Sequence, residues 1–156
     1  MASKILFLHN IRSAHNIGAM FRTAEAAGID EVILSGYSPG PLDRFGREDK
    51  KVTKASLGAH EMIRWKHVED SFGSLKGLQE DGYSLAAVEQ HVKSIDYKTY
   101  IPQEKQVIIM GNEVTGVEQS ILELADTILE IPMAGQKESL NVSTACGIVL
   151  FRVFNK

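Results

Sequence analysis

The chain has 156 residues, 44% of them apolar and 24% charged, and a formal net charge of −3. That is enough for one domain with a real core, and no stretch approaches the ~20 apolar residues a membrane-spanning helix needs. The opening MASKILFLHN has one lysine before a very short apolar run and no small-residue cleavage site, which excludes the shape of a signal peptide. The lone cysteine, Cys146, cannot make an internal disulfide. It lies among Ala145, Ile148 and Val149 and reads as a packed core thiol, which suits a reducing cytosol. The negative charge argues mildly against a nucleic-acid partner, since phosphate contacts need clustered Lys and Arg, but a local basic face can sit on an acidic protein.

In chain order, Lys4–Asn10 (KILFLHN) is short and apolar, the form of a buried strand. The break at Arg12-Ser13-Ala14-His15-Asn16 can cap a helix. Ile17, Met20, Phe21, Ala24 and Ala27 then recur at helical spacing, and Gly28 supplies the stop. Glu31–Ser35 reads as a second strand, which makes one βαβ unit and implies a parallel sheet. Gly36–Lys54 has little periodicity and reads as a mobile loop carrying Arg44, Arg47, Lys50, Lys51 and Lys54. Ala55–Trp65 is open between a helical turn and a short strand. Val68–Asp81 reads as a surface helix with Phe72, Leu75 and Leu78 on one face, stopped by Gly82. Tyr83–Val88 and Val107–Met110 read as strands joined by a polar connection. Glu118–Ala125 reads as a short amphipathic helix, Thr127–Met133 as a strand, and Leu140–Val153 as the final helix. Strands and helices alternate without a composition shift or repeat, so the expected fold is α/β, a mostly parallel sheet with helices on both faces in one domain over residues 1–156.

Three polar segments with glycine each follow an apolar strand: Asn10–Arg22, Gly111–Gly116 and Met133–Asn141. Ligands collect beyond the carboxyl ends of parallel strands, so the three can meet at one edge. Ser139-Leu140-Asn141 opens the last helix, where unpaired backbone N–H groups can hold something polar. Gly111–Gly116 has the glycine spacing of a P-loop but lacks its Lys-Ser/Thr, which disfavours nucleotide hydrolysis. No G-x-G-x-x-G follows the first strand. His60-Glu61 begins like a zincin, but Arg64 stands where the second histidine is required, and five histidines without ligand spacing imply no metal. Asn141-Val142-Ser143 matches a glycosylation acceptor only by chance. Arg22 stands on a helix of small apolar residues; it is either a surface residue or one with a specific partner, for which Glu113 is a candidate. The basic segment Arg44–Lys54 is either solvated or touches phosphates, and in the second case Tyr37 and Phe45 can stack on a base.

At these residues the chain resembles the SpoU (TrmH-type) branch of the SPOUT superfamily, the RNA ribose 2′-O-methyltransferases. The resemblance covers nearly the whole chain and rests on three motifs in order: Asn16-Ile17-Gly18-Ala19-Met20-Phe21-Arg22-Thr23-Ala24, Ile109-Met110-Gly111-Asn112-Glu113 with Gly116, and Ile131-Pro132-Met133 followed by Ser139-Leu140-Asn141-Val142-Ser143. It implies a deep trefoil knot in the C-terminal part, a homodimer, S-adenosylmethionine as cofactor and no metal. Periodicity reveals none of these. The apolar residues Phe21, Phe151 and Phe154 are compatible with the dimer.

Carried over by position, the resemblance makes Arg22 the catalytic residue, with Asn16 helping to place it and Glu113 supporting the active-site loop. Ser139 and Asn141 shape the site beside the ribose. Gly111, Asn112, Ile131, Met133 and Leu140 line the cofactor pocket. Arg12, Arg44, Arg47, Lys50, Lys51 and Lys54 are the RNA-binding candidates, and tRNA is favoured over rRNA as substrate, in the cytoplasm. The chain begins almost at its first strand and ends soon after its last helix. The expectation is therefore that the N-terminal RNA-binding domain of some relatives is absent, leaving substrate selection to the domain, a dimer surface or a helper protein. The rivals are a catalytically silent RNA- and S-adenosylmethionine-binding protein of the same fold, and a small-molecule methyltransferase. Retention of Arg22, Glu113, Ser139 and Asn141 counts against the first.

Overall fold

The computed structural model describes residues 2–155. Its strands are β1 (Lys4–His9), β2 (Glu31–Ser35), β3 (Arg64–Val68), β4 (Ser84–Val88), β5 (Ile95–Asp96), β6 (Gln106–Met110) and β7 (Thr127–Glu130). Its helices are α1 (Ala14–Ala26), α2 (Lys50–Ser56), α3 (Ala59–Met62), α4 (Ser71–Glu80), α5 (Gln119–Leu124) and α6 (Val142–Phe154). The strands make one parallel sheet in the order β3-β2-β1-β6-β4-β7-β5. Parallel sheets must be covered on both faces, and here they are. Leu6, Leu8, Val32, Leu34, Ile108 and Met110 pack under α1, α2 and α6. Ile5, Phe7, Ile33, Val107 and Ile109, the alternate residues, pack under α4 and α5. This is the expected α/β arrangement. Among the described residues no helix is long and apolar enough to cross a membrane.

Local chemistry sets the element ends. Ser13 accepts a hydrogen bond from the Asn16 N–H and starts α1 three residues earlier than the apolar spacing predicts. Gly18 is demanded by packing rather than by turn geometry. A Cβ there would stand 2.5 Å from both the Ala55 Cβ and the Val52 carbonyl oxygen of α2. Asn141 caps α6, its side-chain oxygen accepting from the Ser143 and Thr144 N–H groups.

The structure corrects several expectations. The strand expected over Thr127–Met133 ends at Glu130, because Pro132 cannot donate to a ladder and the chain turns off to wall a cleft. The ambiguous stretch splits into α3 and strand β3, which takes Val68 and delays α4 to Ser71 behind its Asp70 cap. The polar connection before β6 hides β5, paired with β7. The basic loop is not slack, since Asp49 caps α2 at Lys50. Of the apolar residues proposed for a dimer face, Phe21 is fully buried against Trp65. Phe154 is partly buried, and Phe151 is exposed. Cys146 is buried in the core, as expected. The chain leaves β7 toward one end of the sheet, yet α6 packs on α1 and β6; this connectivity is consistent with the knot that the resemblance implies.

Candidate active site at the carboxyl edge of the sheet

Because the strands are parallel, the segments leaving β1, β6, β4 and β7 emerge at one edge, and they meet there. The segment after β6 (Gly111–Gly116), the end of β4 with Glu89 and Gln90, and Leu129–Ile131, Met133, Ser139 and Leu140 after β7 wall a cleft closed by Val142 and Ala145 of α6. Of the residues singled out in the sequence, Gly111, Asn112, Glu113, Ile131, Met133, Ser139 and Leu140 line it.

A hydrogen-bond chain ties the three motif segments together. The Glu113 carboxylate accepts from the backbone N–H groups of Arg12 and Ser13, both at 2.8 Å, and from the Asn16 side-chain amide at 3.1 Å. The Asn16 side-chain oxygen in turn accepts from Asn141 at 3.4 Å, and Asn16 is only 8% exposed. Glu113 is therefore an anion set at the start of α1, where free N–H groups and the helix dipole favour one. Burial raises its pKa, and the bonds from Arg12, Ser13, its own N–H and Asn16 outweigh that, holding the carboxyl below its ordinary 4.5.

The loop itself is tightly closed. Asn112 and Gly116 exchange backbone hydrogen bonds, and a Cβ on Gly111 would fall 2.5 Å from the Gly116 carbonyl carbon. The Asn112 side-chain oxygen accepts from Val114 and Thr115, while its amide donates to the Asn10 carbonyl and the Tyr37 hydroxyl.

Arg22 is not in this cleft. It lies six residues beyond Asn16, a rise of about 9 Å and a rotation of about 120° around the helix. There it is exposed in a groove with His15, Ala19, Thr23, Ala26, Ala55 and Phe151. Glu113, spent on the start of α1, is not its partner. Arg12, Arg44, Arg47, Lys50, Lys51 and Lys54 are all exposed.

Sequence reasoning missed Glu89, whose carboxylate accepts from the N–H groups of Gln90 and Val117 and so clasps the β6 loop from the β4 side. The carboxyl-edge rule marks it, because it directly follows a predicted strand, but no neighbouring glycine singles it out. It also missed His9, nearly buried, whose ring bonds Ser35, Ser71 and Glu118 beneath the loop. Among the described residues no cluster of three or more His, Cys, Asp or Glu side chains could hold a metal ion.

A parallel α/β fold with a half-apolar cleft at the carboxyl edge defines a protein that binds a small organic ligand there. The chain belongs to the SpoU rRNA Methylase family, whose model matches residues 3–151. It is 32% identical over 99% of its length to a Staphylococcus saprophyticus protein assigned to the TrmH family of tRNA/rRNA methyltransferases, and covers 59% of that relative. The chain thus spans about three-fifths of the length of the curated relatives it matches. Among solved structures it resembles an AdoMet-bound rRNA methyltransferase from Sinorhizobium meliloti, with 27% identity, a TM-score of 0.86, and 97% of this chain and 56% of that one covered. It also resembles an RNA 2′-O ribose methyltransferase, with 27% identity, a TM-score of 0.84, and the same coverage of the two chains.

Proposed function

We propose that this chain forms one S-adenosylmethionine-dependent RNA methyltransferase domain that methylates a ribose 2′-hydroxyl, acting in the cytoplasm on tRNA. The observation that carries the reading is the Glu113–Asn16–Asn141 chain at the mouth of the cleft, which joins all three motif segments into one unit. The S. meliloti neighbour, solved with AdoMet, and the neighbour named a 2′-O ribose methyltransferase support the cofactor and the target atom. A solved A. aeolicus TrmH/SpoU tRNA modifying enzyme, 26% identical to this chain, supports tRNA as the substrate.

The cleft suits the cofactor. Leu129, Ile131, Met133, Leu140 and Val142 form apolar walls for an adenine face, and the Gly111–Gly116 backbone and the Glu89 carboxylate add polar groups, the carboxylate facing a cationic ligand. Bound there, S-adenosylmethionine supplies a methyl group already activated on a sulfonium. The protein's own work is placement and removal of a proton. Ser139 and Asn141 stand at the start of α6 to orient the ribose, and in-line alignment of the hydroxyl oxygen with the methyl supplies much of the rate.

Held in this cleft, the sulfonium would give its methyl to the ribose oxygen and leave as a thioether, so the hydroxyl proton would have to be carried away. Arg22 is the residue for that step. At neutral pH Arg22 is a cation with no free lone pair (pKa about 12.5–13.8), so it would help the proton leave by binding the hydroxyl oxygen and the adjacent RNA phosphate, and the proton would pass by way of that phosphate to water. Since Arg22 faces away from the cleft of its own chain, the reading requires a homodimer. A second copy packed over the groove that holds Arg22, with exposed Phe151 at its edge, would carry an Arg22 to the cleft. The test incubates the protein with methyl-labelled S-adenosylmethionine and total RNA. Wild type labels RNA, and Arg22→Ala abolishes labelling with cofactor affinity within about twofold of wild type. Equal labelling by the variant removes Arg22 from its role; no labelling of any RNA by a wild type that binds cofactor overturns the assignment.

A further inference from the structure

The segment between β2 and α2 is built to hold aromatic rings out in solvent. Its tip is a tight turn organised by Asp43, whose carboxylate accepts from the N–H groups of Phe45 (2.8 Å) and Arg47 (3.0 Å) and from the Arg47 Nε (2.8 Å). The backbone closes beneath it through Asp43 N–H to the Arg47 carbonyl and Gly46 N–H to the Asp43 carbonyl, with Gly46 at φ +76°. A bridge between Leu42 and Glu48 seals the base of the turn. On this rigid tip Phe45 is 67% exposed, so its ring adds little to folding. The guanidinium groups of Arg44 and Arg47 lie 4.9 and 5.0 Å from the ring centroid. Arg47 is anchored by Asp43; among the described residues Arg44 has no carboxylate partner. A planar group can therefore take Arg44's place on the ring while Arg44 swings to a phosphate.

The other end of the segment is fixed to the cleft. Tyr37 is 60% exposed, and its hydroxyl accepts a 2.8 Å hydrogen bond from Asn112, a cleft residue. Its own N–H donates to the Asn10 side chain. The charge agrees with an anionic strand. Residues 36–54 carry five cations against three carboxylates, on a chain of net charge −3. The three carboxylates are all engaged within the segment: Asp43 in the turn, Asp49 as the α2 cap, and Glu48 accepting from the Thr53 hydroxyl.

Resting on the methyltransferase reading, we propose that this segment selects unpaired RNA: Tyr37 stacks on a nucleobase beside the target ribose, Phe45 stacks on a second base, and the surrounding Arg and Lys hold the phosphates. Paired A-form RNA keeps its bases stacked on one another and presents ribose and phosphate instead, whereas exposed rings match splayed bases. The substrate nucleotide thus lies in a loop or single-stranded stretch.

The test uses a mixed-sequence oligoribonucleotide carrying one 2-aminopurine, alone and annealed to its complement, with the full chain. Wild type binds the single strand more tightly and quenches the 2-aminopurine emission. Phe45→Leu weakens single-strand binding roughly tenfold, as loss of one stacked base does. Phe45→Trp restores it, and S-adenosylmethionine affinity is the same in all three. Equal binding of the duplex, or a Phe45→Leu variant with unchanged affinity while wild type still methylates RNA, overturns this inference alone. A changed sedimentation coefficient with unchanged RNA affinity assigns the ring to a protein interface and also overturns it. A protein that binds cofactor but neither form of RNA brings down the methyltransferase reading as well.

Discussion

Replacing Glu113 with Gln tests whether the three motif segments act as one unit. The carboxylate receives three hydrogen bonds, at 2.8, 2.8 and 3.1 Å, from Arg12, Ser13 and Asn16. Bonds to a charged acceptor contribute about 1.5–3 kcal/mol each when shielded. Glu113 is half-buried and Arg12 exposed, so the low end applies, and an amide keeps one or two of the three bonds. The expected loss is about 2 kcal/mol, which at a urea slope of ~2 kcal/mol per molar moves the unfolding midpoint down by roughly 1 M.

The effect must also depend on pH. The carboxyl titrates below its ordinary 4.5 in the folded protein, so the unfolded chain takes up the proton first. Its stabilisation is complete above about pH 5 and fades as pH falls through the lowered folded value. Urea melts of wild type and Glu113→Gln at a series of pH values check this. Equal midpoints at neutral pH, or a gap that stays constant as carboxylates protonate, would refute the claim that an ionised Glu113 holds the start of α1.

Other outcomes follow from packing. Gly18→Ala forces a Cβ to 2.5 Å from the Val52 carbonyl, a backbone atom that cannot move cheaply. It should cost about 3 kcal/mol and lower the melting temperature by roughly 10 °C in a calorimetric scan. Asn141→Ala removes the α6 cap and its link to Asn16, for a loss of about 1 kcal/mol in urea melts. Burial pushes the Cys146 thiol up to about 12, so an aromatic disulfide reagent at neutral pH should react only as the chain unfolds; rapid reaction of the native protein would contradict the packing.

How far the sequence reached depends on how locally each feature is encoded. The core strands announced themselves because KILFL and QVIIM are apolar at consecutive positions, as a strand buried on both faces must be. β3 (RWKHV) and β5 (two residues) escaped because edge strands carry no such signal. The turn under Phe45 was readable: Asp43 and Gly46 stand at the first and last positions of a β-turn, and Asp49 before KKVT is an N-cap signature. The pattern was masked by the absence of apolar periodicity. In the site, the loop residues expected to line a cofactor pocket do share one cleft, but the groups that bind Glu113 were not legible. Two backbone N–H groups about a hundred residues away bind it together with the Asn16 amide, and no side-chain pattern reports a backbone donor. Arg22 shows the opposite limit, because the side chain that motif resemblance places at the reacting atoms points, in one chain, into a different groove.

Digestion of the labelled RNA reads directly whether a ribose oxygen receives the methyl group. RNA methylated by the wild-type protein is cleaved with alkali, the products are separated, and the labelled ones are then digested with nuclease to read the base. Label is expected in alkali-resistant dinucleotides, each with an ordinary base and a blocked 2′-oxygen, at a position that Arg22→Ala leaves unmodified. Label confined to a nucleobase, or released with alkali-sensitive mononucleotides, would contradict it.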